Sequence, residues 1–300
     1  MIKPLLPFFV ATALFAAEGP SVLEYTHVLQ EALENHEWSR AVGYAKEIST
    51  SYGKSPFAAE IPYILGEAYF HLEEWDKANE SLSDYLTKAA SPKHFEDALN
   101  YRFQIAEKFR EGAKKPLFGV SWLPRLLSGE EDALSIYEDL ITSMPHEQIA
   151  AQALLGKAEI QARWEEYKPS LETLDLLIRR FPKHDLAAEA FLQKGHIYAA
   201  QLQERNDPAL LDLAEMNLKK FRLAFPREGR VEWVEKEFKE MRESFAGYLM
   251  ETAAFFEKTK KIPASILYYS KIVSQYPETE SSGIAKERLD RLQDKNPSKA

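Results

Sequence analysis

The chain has 300 residues, of which 45% are hydrophobic and 28% are charged, and its formal net charge at pH 7 is −9. This composition is typical of a soluble globular protein, and its acidic balance disfavours binding to nucleic acid. The absence of cysteine excludes disulfides, thiolate metal sites, thiol nucleophiles and a lipid-anchor cysteine. Because the chain has 36 alanines but only 8 valines, we expect an all-α fold.

The first residues have the pattern of a secretory signal peptide. Lys3 supplies a short positive head, and an apolar run from Leu5 ends in the small residues Ala16 and Ala17. This run is too short to span a bilayer, which takes about 20 apolar residues. We therefore expect residues 1–17 to direct export to the periplasm and to be removed from the mature protein.

Four prolines follow amphipathic helices, and each lies at the same distance along the chain from the apolar residues of its helix. The positions twelve, eight and five residues before each proline hold a small residue and then two larger apolar residues. Spacings of four and three place these side chains on one face of a helix, and the proline ends that helix. The four sets are Ala133, Tyr137 and Leu140; Ser170, Leu174 and Leu177; Ala214, Leu218 and Phe221; and Ser265, Tyr269 and Ile272. Two earlier sets keep the spacing, although their prolines come later: Ala41, Ala45 and Ile48; and Ala78, Leu82 and Tyr85.

A partner helix is expected before each of these helices. Three small residues lie twelve positions before the first residue of a set: Gly66 before Ala78, Ala158 before Ser170 and Ala253 before Ser265. In chain order these are the second, fourth and sixth sets. The corresponding residues are Gly195 in the fifth pair and Ala106 in the third, where seven and fifteen residues are inserted. We expect each small residue to let the two helices of its own hairpin approach closely.

This pattern resembles the tetratricopeptide repeat, whose period is about 34 residues. It consists of a small residue followed three positions later by an aromatic residue, then a short polar turn, and then a helix that ends at a proline. The residues that carry this resemblance are Gly66, Tyr69, Ala78 and the Phe-Pro and Tyr-Pro endings. It implies an α-solenoid of stacked tetratricopeptide-type helix hairpins over residues 18–292, with about five to six helix pairs. The pairs are expected at 22–56, 57–92, 94–145, 147–182, 186–226 and 230–277, followed by a C-terminal capping helix near 281–292 and a flexible tail at 293–300.

The C-terminal stretch resembles the final repeat of the BamD family of outer-membrane assembly components. The residues that carry this resemblance are Phe245, Ala246, Ala253, Phe256, Ala264, Ser265 and the ending Tyr276-Pro277-Glu278-Thr279. The resemblance implies a non-enzymatic periplasmic scaffold, peripheral to the outer membrane, for the assembly of β-barrel proteins. The implied partners are an outer-membrane barrel assembly factor or unfolded barrel clients. A periplasmic repeat adaptor for cell-wall or cell-division enzymes is the alternative, and a secreted or effector-type repeat protein is a third.

No sequence motif indicates catalysis. A phosphate-binding loop, an HExxH motif, a Gly-x-Ser-x-Gly elbow and a dinucleotide fingerprint are all absent. The seven histidines are scattered along the chain, and none is paired at i,i+4, whereas a metal site needs three or four converging ligands. We therefore predict no enzyme activity, no cofactor and no metal site.

The first helices of the pairs are expected to line a concave protein-binding groove. Placing Gly66 and Tyr69 toward the partner helix turns another set of side chains toward this groove. The predicted groove residues are Tyr63, Glu67, Phe70 and His71 in the second pair and Phe103, Glu107 and Arg110 in the third. Aromatic rings beside mixed charges suit an extended peptide that carries aromatic side chains. The alternative is that Phe70 and Phe103 pack against neighbouring repeats.

Residues Gly112 to Gly129, GAKKPLFGVSWLPRLLSG, form an insertion unlike the other turns. Seven of its residues are large and apolar, three are basic, and Pro116 and Pro124 exclude one continuous helix. One interpretation is that the insertion folds onto the repeats and covers a gap between helices. The other is that it binds a partner or a membrane surface, with Phe118, Trp122 and Leu126 as contact residues.

Export is expected to remove the residues up to Ala16 or Ala17, because the apolar run and its small-residue end match a signal peptide. N-terminal sequencing of the mature protein should give Glu18 or a neighbouring residue first. An intact Met1 on protein from the cytoplasmic fraction would contradict this prediction.

Overall fold

The computed structural model describes residues 21–89, 91–117 and 123–294. The predicted signal peptide, Phe118, Trp122 and residues 295–300 of the predicted tail lie outside the described residues. In the described part of the chain, no helix combines the length and the apolar composition that crossing a bilayer requires.

Within the described residues lie thirteen α-helices, one 3₁₀ helix (Pro56–Ala59) and one two-stranded ribbon. The α-helices are α1 (Val22–Glu34), α2 (Trp38–Ser51), α3 (Ile61–His71), α4 (Trp75–Lys88), α5 (Phe95–Arg110), α6 (Glu130–Ser143), α7 (Gln148–Arg163), α8 (Tyr167–Arg180), α9 (Asp185–Arg205), α10 (Ala209–Ala224), α11 (Val231–Lys258), α12 (Ile262–Gln275) and α13 (Glu280–Asp294). The ribbon pairs β1 (Lys114–Pro116) with β2 (Arg125–Ser128). The predicted all-α fold of tetratricopeptide-type hairpins with a C-terminal capping helix is confirmed, and the ribbon is an addition that the sequence did not predict.

The chain divides into two compact units, and the division falls within α5. The first unit comprises Met1–Ile105 and Lys114–Leu127, and the second comprises Ala106–Ala113 and Ser128–Ala300. In the first unit, α1 packs against α2, α2 against α3 and α3 against α4. In the second unit, α6 to α13 pack in the same order, and α11 also contacts α9 and α13.

The six predicted sets of small and apolar residues form the core between helices. Every one of these eighteen side chains is 4% exposed or less. The proline-phased helices α6, α8, α10 and α12 each end two residues before their proline, since the residue that precedes a proline disfavours the helical conformation. In all four, the last backbone N–H donates to the carbonyl of the third residue of the set at 2.9–3.0 Å: Met144 to Leu140, Phe181 to Leu177, Phe225 to Phe221 and Tyr276 to Ile272.

Small residues bring the two helices of a hairpin together in the second and fourth pairs. A Cβ atom on Gly66 would lie 2.4 Å from Cγ of Leu82 on α4, which leaves no room for any side chain. In the fourth pair, the Ser170 hydroxyl on α8 donates to the Ala158 carbonyl on α7 at 2.8 Å. The predicted close approach is therefore confirmed at both positions.

Gly195 has a different role from the one expected of it. A Cβ atom there would lie 2.9 Å from Oε2 of Glu237 and 3.5 Å from Cγ1 of Val234, and both residues are on α11. The prediction that Gly195 faces its own hairpin partner α10 is wrong, because inserted residues extend α9 to 21 residues instead of forming a longer loop. Contact with α10 includes the Asn217 side-chain amide, which donates to the Phe191 carbonyl at 2.9 Å.

One tight turn recurs between the helices of a pair. His36, Glu73, Glu165 and Lys260 adopt positive φ angles of 57° to 61°. After each of them, the next N–H donates to the carbonyl five residues back at 2.8–2.9 Å: Glu37 to Ala32, Glu74 to Tyr69, Glu166 to Gln161 and Lys261 to Phe256. Gly112 has φ 101°, and Ala113 donates to Lys108 at 2.9 Å in the same way. The third pair therefore makes the shared turn before the ribbon begins.

The substitution Gly66→Ala is expected to lower the free energy of unfolding by about 1–3 kcal/mol, because its methyl group would overlap the fully buried Leu82 side chain. The matched control is Gly43→Ala on α2, where nothing lies within 4 Å of the new methyl group. The control is expected to be neutral or to stabilise by up to about 1 kcal/mol, because alanine favours the helix. Urea unfolding checks both, and equal effects of the two substitutions would contradict the packing described for Gly66.

Candidate protein-binding surface

In the first unit, six aromatic rings from three helix pairs form a connected cluster, which we call the aromatic face; five of them are partly or largely buried and one is exposed. Its members are Trp38, Tyr63, Phe70, His71, Trp75 and Tyr101. The His71 ring stacks on Trp38 with centroids 4.1 Å apart and planes 12° apart. Phe70 contacts Trp75 at 5.2 Å and Tyr101 at 4.9 Å between centroids. Such pairs add about 0.5–1.5 kcal/mol each beyond the area they bury, so the rings hold one another in place.

The predicted groove residues of the second pair all belong to this cluster or contact it. His71 is exposed, Phe70 is half-buried, and Tyr63 is only 9% exposed. Phe70 packs against Tyr101 on α5, as the packing interpretation expects, and still keeps part of its ring at the surface. The ring of Phe103 in the third pair is also partly buried. The aromatic face therefore presents ring edges and the His71 imidazole rather than a row of fully exposed rings.

The Glu67 carboxylate is bound within the aromatic face. It accepts a hydrogen bond of 3.0 Å from the Tyr101 hydroxyl. Burial, reinforced by the Glu67 charge, raises the pKa of Tyr101 well above its usual range. Burial also raises the pKa of Tyr63, with Glu67 and Asp97 adding to the effect. Both tyrosines therefore stay neutral at any physiological pH.

Glu107 and Arg110 belong to the second unit, where their charges are paired. The Arg110 guanidinium lies 2.5 Å from carboxylate oxygens of both Glu107 and Glu159. The Tyr137 hydroxyl also donates to Glu107, and the Gln193 amide donates to Glu159 at 2.9 Å. The hydrogen bonds that Arg110 donates to Glu107, followed by the Glu159 charge, raise the pKa of Arg110 although burial opposes them. These charges join α5, α6, α7 and α9 within the unit, so a ligand would have to compete for them.

The ribbon of the Gly112–Gly129 insertion lies against the turn of the second pair. The Arg125 guanidinium donates to the Glu73 backbone carbonyl at 2.9 Å. Leu126 is 60% exposed and its neighbour Leu127 is 46% exposed, although both are large apolar side chains. The ribbon therefore leaves apolar surface uncovered on both faces of β2, because successive side chains of a strand point to opposite sides.

Sequence reasoning missed several residues of these surfaces. Trp38 and Trp75 are each the first residue of a second helix, two positions after a left-handed turn residue, and this repeated placement was a usable signal. Tyr101 and Glu159 join their partners across 34 and 49 residues of chain, and no local pattern reveals such pairs. Among the described residues, no group of three or more His, Cys, Asp or Glu side chains is placed to hold a metal ion.

Replacing Leu126 and Leu127 together by serine is expected to leave the melting temperature unchanged and to lower recovery of the protein with the envelope fraction. Both side chains are exposed, so folding gains little from them, whereas an interaction element depends on them. Thermal melting and envelope fractionation measure the two effects. A clear fall in melting temperature would instead support the interpretation that the insertion covers a gap in the repeats.

Comparison with known proteins places the chain in a family. The family model described as YfiO: Outer membrane lipoprotein matches residues 128–298, which is more than half of the chain. No curated protein sequence matches significantly. Among solved structures, YrrB, described as a TPR protein with an unusual peptide-binding site, is 16% identical, covers 72% of this chain and 92% of its own, and has a TM-score of 0.40. A tetratricopeptide repeat protein from Parabacteroides merdae is 13% identical, covers 90% of this chain and 98% of its own, and has a TM-score of 0.38. The chain belongs to the YfiO family, which is the BamD family that its C-terminal repeat resembles.

Proposed function

We propose that this protein is a non-enzymatic scaffold of the periplasm that binds protein partners during the assembly of outer-membrane β-barrel proteins. The observation that carries the proposal is the family match over residues 128–298. The tetratricopeptide-type hairpins support it, because stacked helix pairs form extended surfaces suited to protein contact. Export to the periplasm rests on the signal-peptide pattern of residues 1–17.

The chemistry of the candidate surface favours binding over catalysis. A general acid or base works best with a pKa near the operating pH. The pKa values of Tyr63, Tyr101 and Tyr137 are instead raised by burial, away from neutrality. The charged groups Glu107 and Arg110 are held in ion pairs within the chain. Within each unit these residues hold neighbouring helices together, and no reaction is assigned to them.

The aromatic face suits an unfolded barrel strand. Strands of outer-membrane barrels alternate apolar and polar residues and carry aromatic girdles. In an extended segment, every second side chain points to the same side, so aromatic groups can contact Phe70, His71 and Tyr101 in turn. The exposed imidazole of His71 and the partly exposed ring of Phe70 provide the first contacts.

A binding measurement with an unfolded outer-membrane barrel protein tests the proposal. The full chain should bind a fluorescently labelled, urea-diluted porin more tightly than a permanently unfolded soluble protein. Replacing Phe70 and His71 together by alanine is expected to weaken porin binding about tenfold, because aromatic side chains carry much of the energy of such contacts. The matched control is Phe255→Ala on α11, which removes a 58% exposed ring from the second unit.

The outcomes separate the candidate functions. Equal binding of porin and the soluble unfolded protein, or equal loss from both substitutions, would contradict the role of the aromatic face. The adaptor function for cell-wall or cell-division enzymes predicts instead that these enzymes co-purify from native envelope and that barrel proteins do not.

A further inference from the structure

An open depression of about 350 Å³ lies between α3 and α5 in the first unit, beside the aromatic face. It is lined by Tyr63 from α3 and by Asp97, Asn100, Tyr101 and Gln104 from α5. The four α5 residues follow the spacing i, i+3, i+4 and i+7, so they share one face of the helix. The depression is therefore formed by two helices and not by a loop.

The side chain of Tyr63 is held firmly at the edge of the depression, and its hydroxyl has no hydrogen-bond partner among the described residues. The residue is 91% buried: its ring stacks on His94 with centroids 4.3 Å apart and also contacts Tyr85 and Tyr101. These contacts fix the ring, and its hydroxyl makes no hydrogen bond to the described residues. A hydroxyl that is held in place beside a depression, with no partner in the protein, can accept or donate a hydrogen bond to a ligand there.

The charge around the depression is negative. Asp97 has one close ionic contact, His94, whose Nδ1 lies 3.5 Å from the carboxylate, and 63% of the Asp97 side chain stays exposed. Glu67 lies next to the site through its hydrogen bond to Tyr101. The charged groups that perturb Tyr63 and Tyr101 are all acidic, since Glu67 and Asp97 raise both pKa values and no basic residue opposes them.

We propose that this depression is a subsite for a basic side chain, with arginine preferred over lysine, of an extended segment of a protein partner. The Asp97 carboxylate, the Tyr63 hydroxyl and the side-chain carbonyls of Asn100 and Gln104 are acceptors. A guanidinium offers five donors in a planar fork and can satisfy several of these acceptors at once. The amide groups of Asn100 and Gln104 can also donate to backbone carbonyls of the extended segment.

The inference rests on the proposed function, because it assumes that the neighbouring aromatic face binds an extended segment. It adds a chemical preference, which is a basic residue close to aromatic residues in the bound sequence. An acidic residue at the same position is excluded by repulsion from Glu67 and Asp97.

The test is a selection of displayed random peptides on the full chain, followed by affinity measurements on synthetic peptides. Wild-type protein is expected to enrich sequences with an arginine or lysine near aromatic residues. Replacing that arginine by glutamine should weaken binding to the wild type about tenfold, the effect of losing a charge-assisted hydrogen bond. The same peptide change should have almost no effect on the Asp97→Asn protein, and a reduced effect on the Tyr63→Phe protein.

Glu96→Gln is the matched control. It removes the same charge from the same first turn of α5, and Glu96 does not line the depression. This control should keep the tenfold preference for arginine, and thermal melting should show that all the variants are folded. An unchanged arginine preference in Asp97→Asn, or an equal loss in Glu96→Gln, would overturn the subsite.

The selection also distinguishes the two levels of the proposal. Enrichment of aromatic peptides without a basic residue would overturn the subsite and leave the proposed function standing. Failure to enrich any peptide would count against both.

Discussion

The close approach of two helices at a residue without a large side chain is the contact on which the second and fourth hairpins depend. At Gly66 the helices are so near that a single methyl group would overlap Leu82. At Ser170 the same approach lets a hydroxyl reach the opposite Ala158 carbonyl. Fully buried rings such as Tyr85 and Tyr137 complete the packed core between the helices.

The tight turn that recurs between the helices of a pair is the second constraint. It explains how the third pair contains the Gly112–Gly129 insertion without a change in its first helix. Non-glycine residues with positive φ cost about 1–2 kcal/mol each, yet His36, Glu73, Glu165 and Lys260 all adopt this conformation. The second helix of a hairpin must begin directly after this turn for the small residues of the two helices to meet. The packing between the helices then offsets the backbone strain of the positive φ angle. In the third pair the strain-free residue Gly112 makes the same turn, and the ribbon then follows before α6 starts. The first helix of that pair therefore ends as in the others.

Local chemistry made the helices predictable, and long-range packing limited the rest. The positions of the four prolines predicted where α6, α8, α10 and α12 end, because a proline constrains the backbone of the residue before it in any surroundings. Gly195 was misassigned because sequence spacing cannot tell an inserted loop from a longer helix, and α9 turned out to be longer. The ribbon strands have three and four residues, too few for an alternating pattern to be recognised. The groove residues were found as surface positions, but the partners of Glu67, Glu107 and Arg110 come from distant helices.

The central functional claim is that the aromatic face of the first unit contacts barrel proteins in the cell. Site-specific photo-crosslinking in the native envelope tests it most directly, with the photoreactive residue placed at the exposed position His71. The matched position is Leu267 on α12, which is 67% exposed and lies in the second unit. The account predicts crosslinks from His71 to outer-membrane barrel chains, and far fewer of them from Leu267. Equal yields from the two positions, or crosslinks from His71 only to cell-wall or cell-division enzymes, would contradict it.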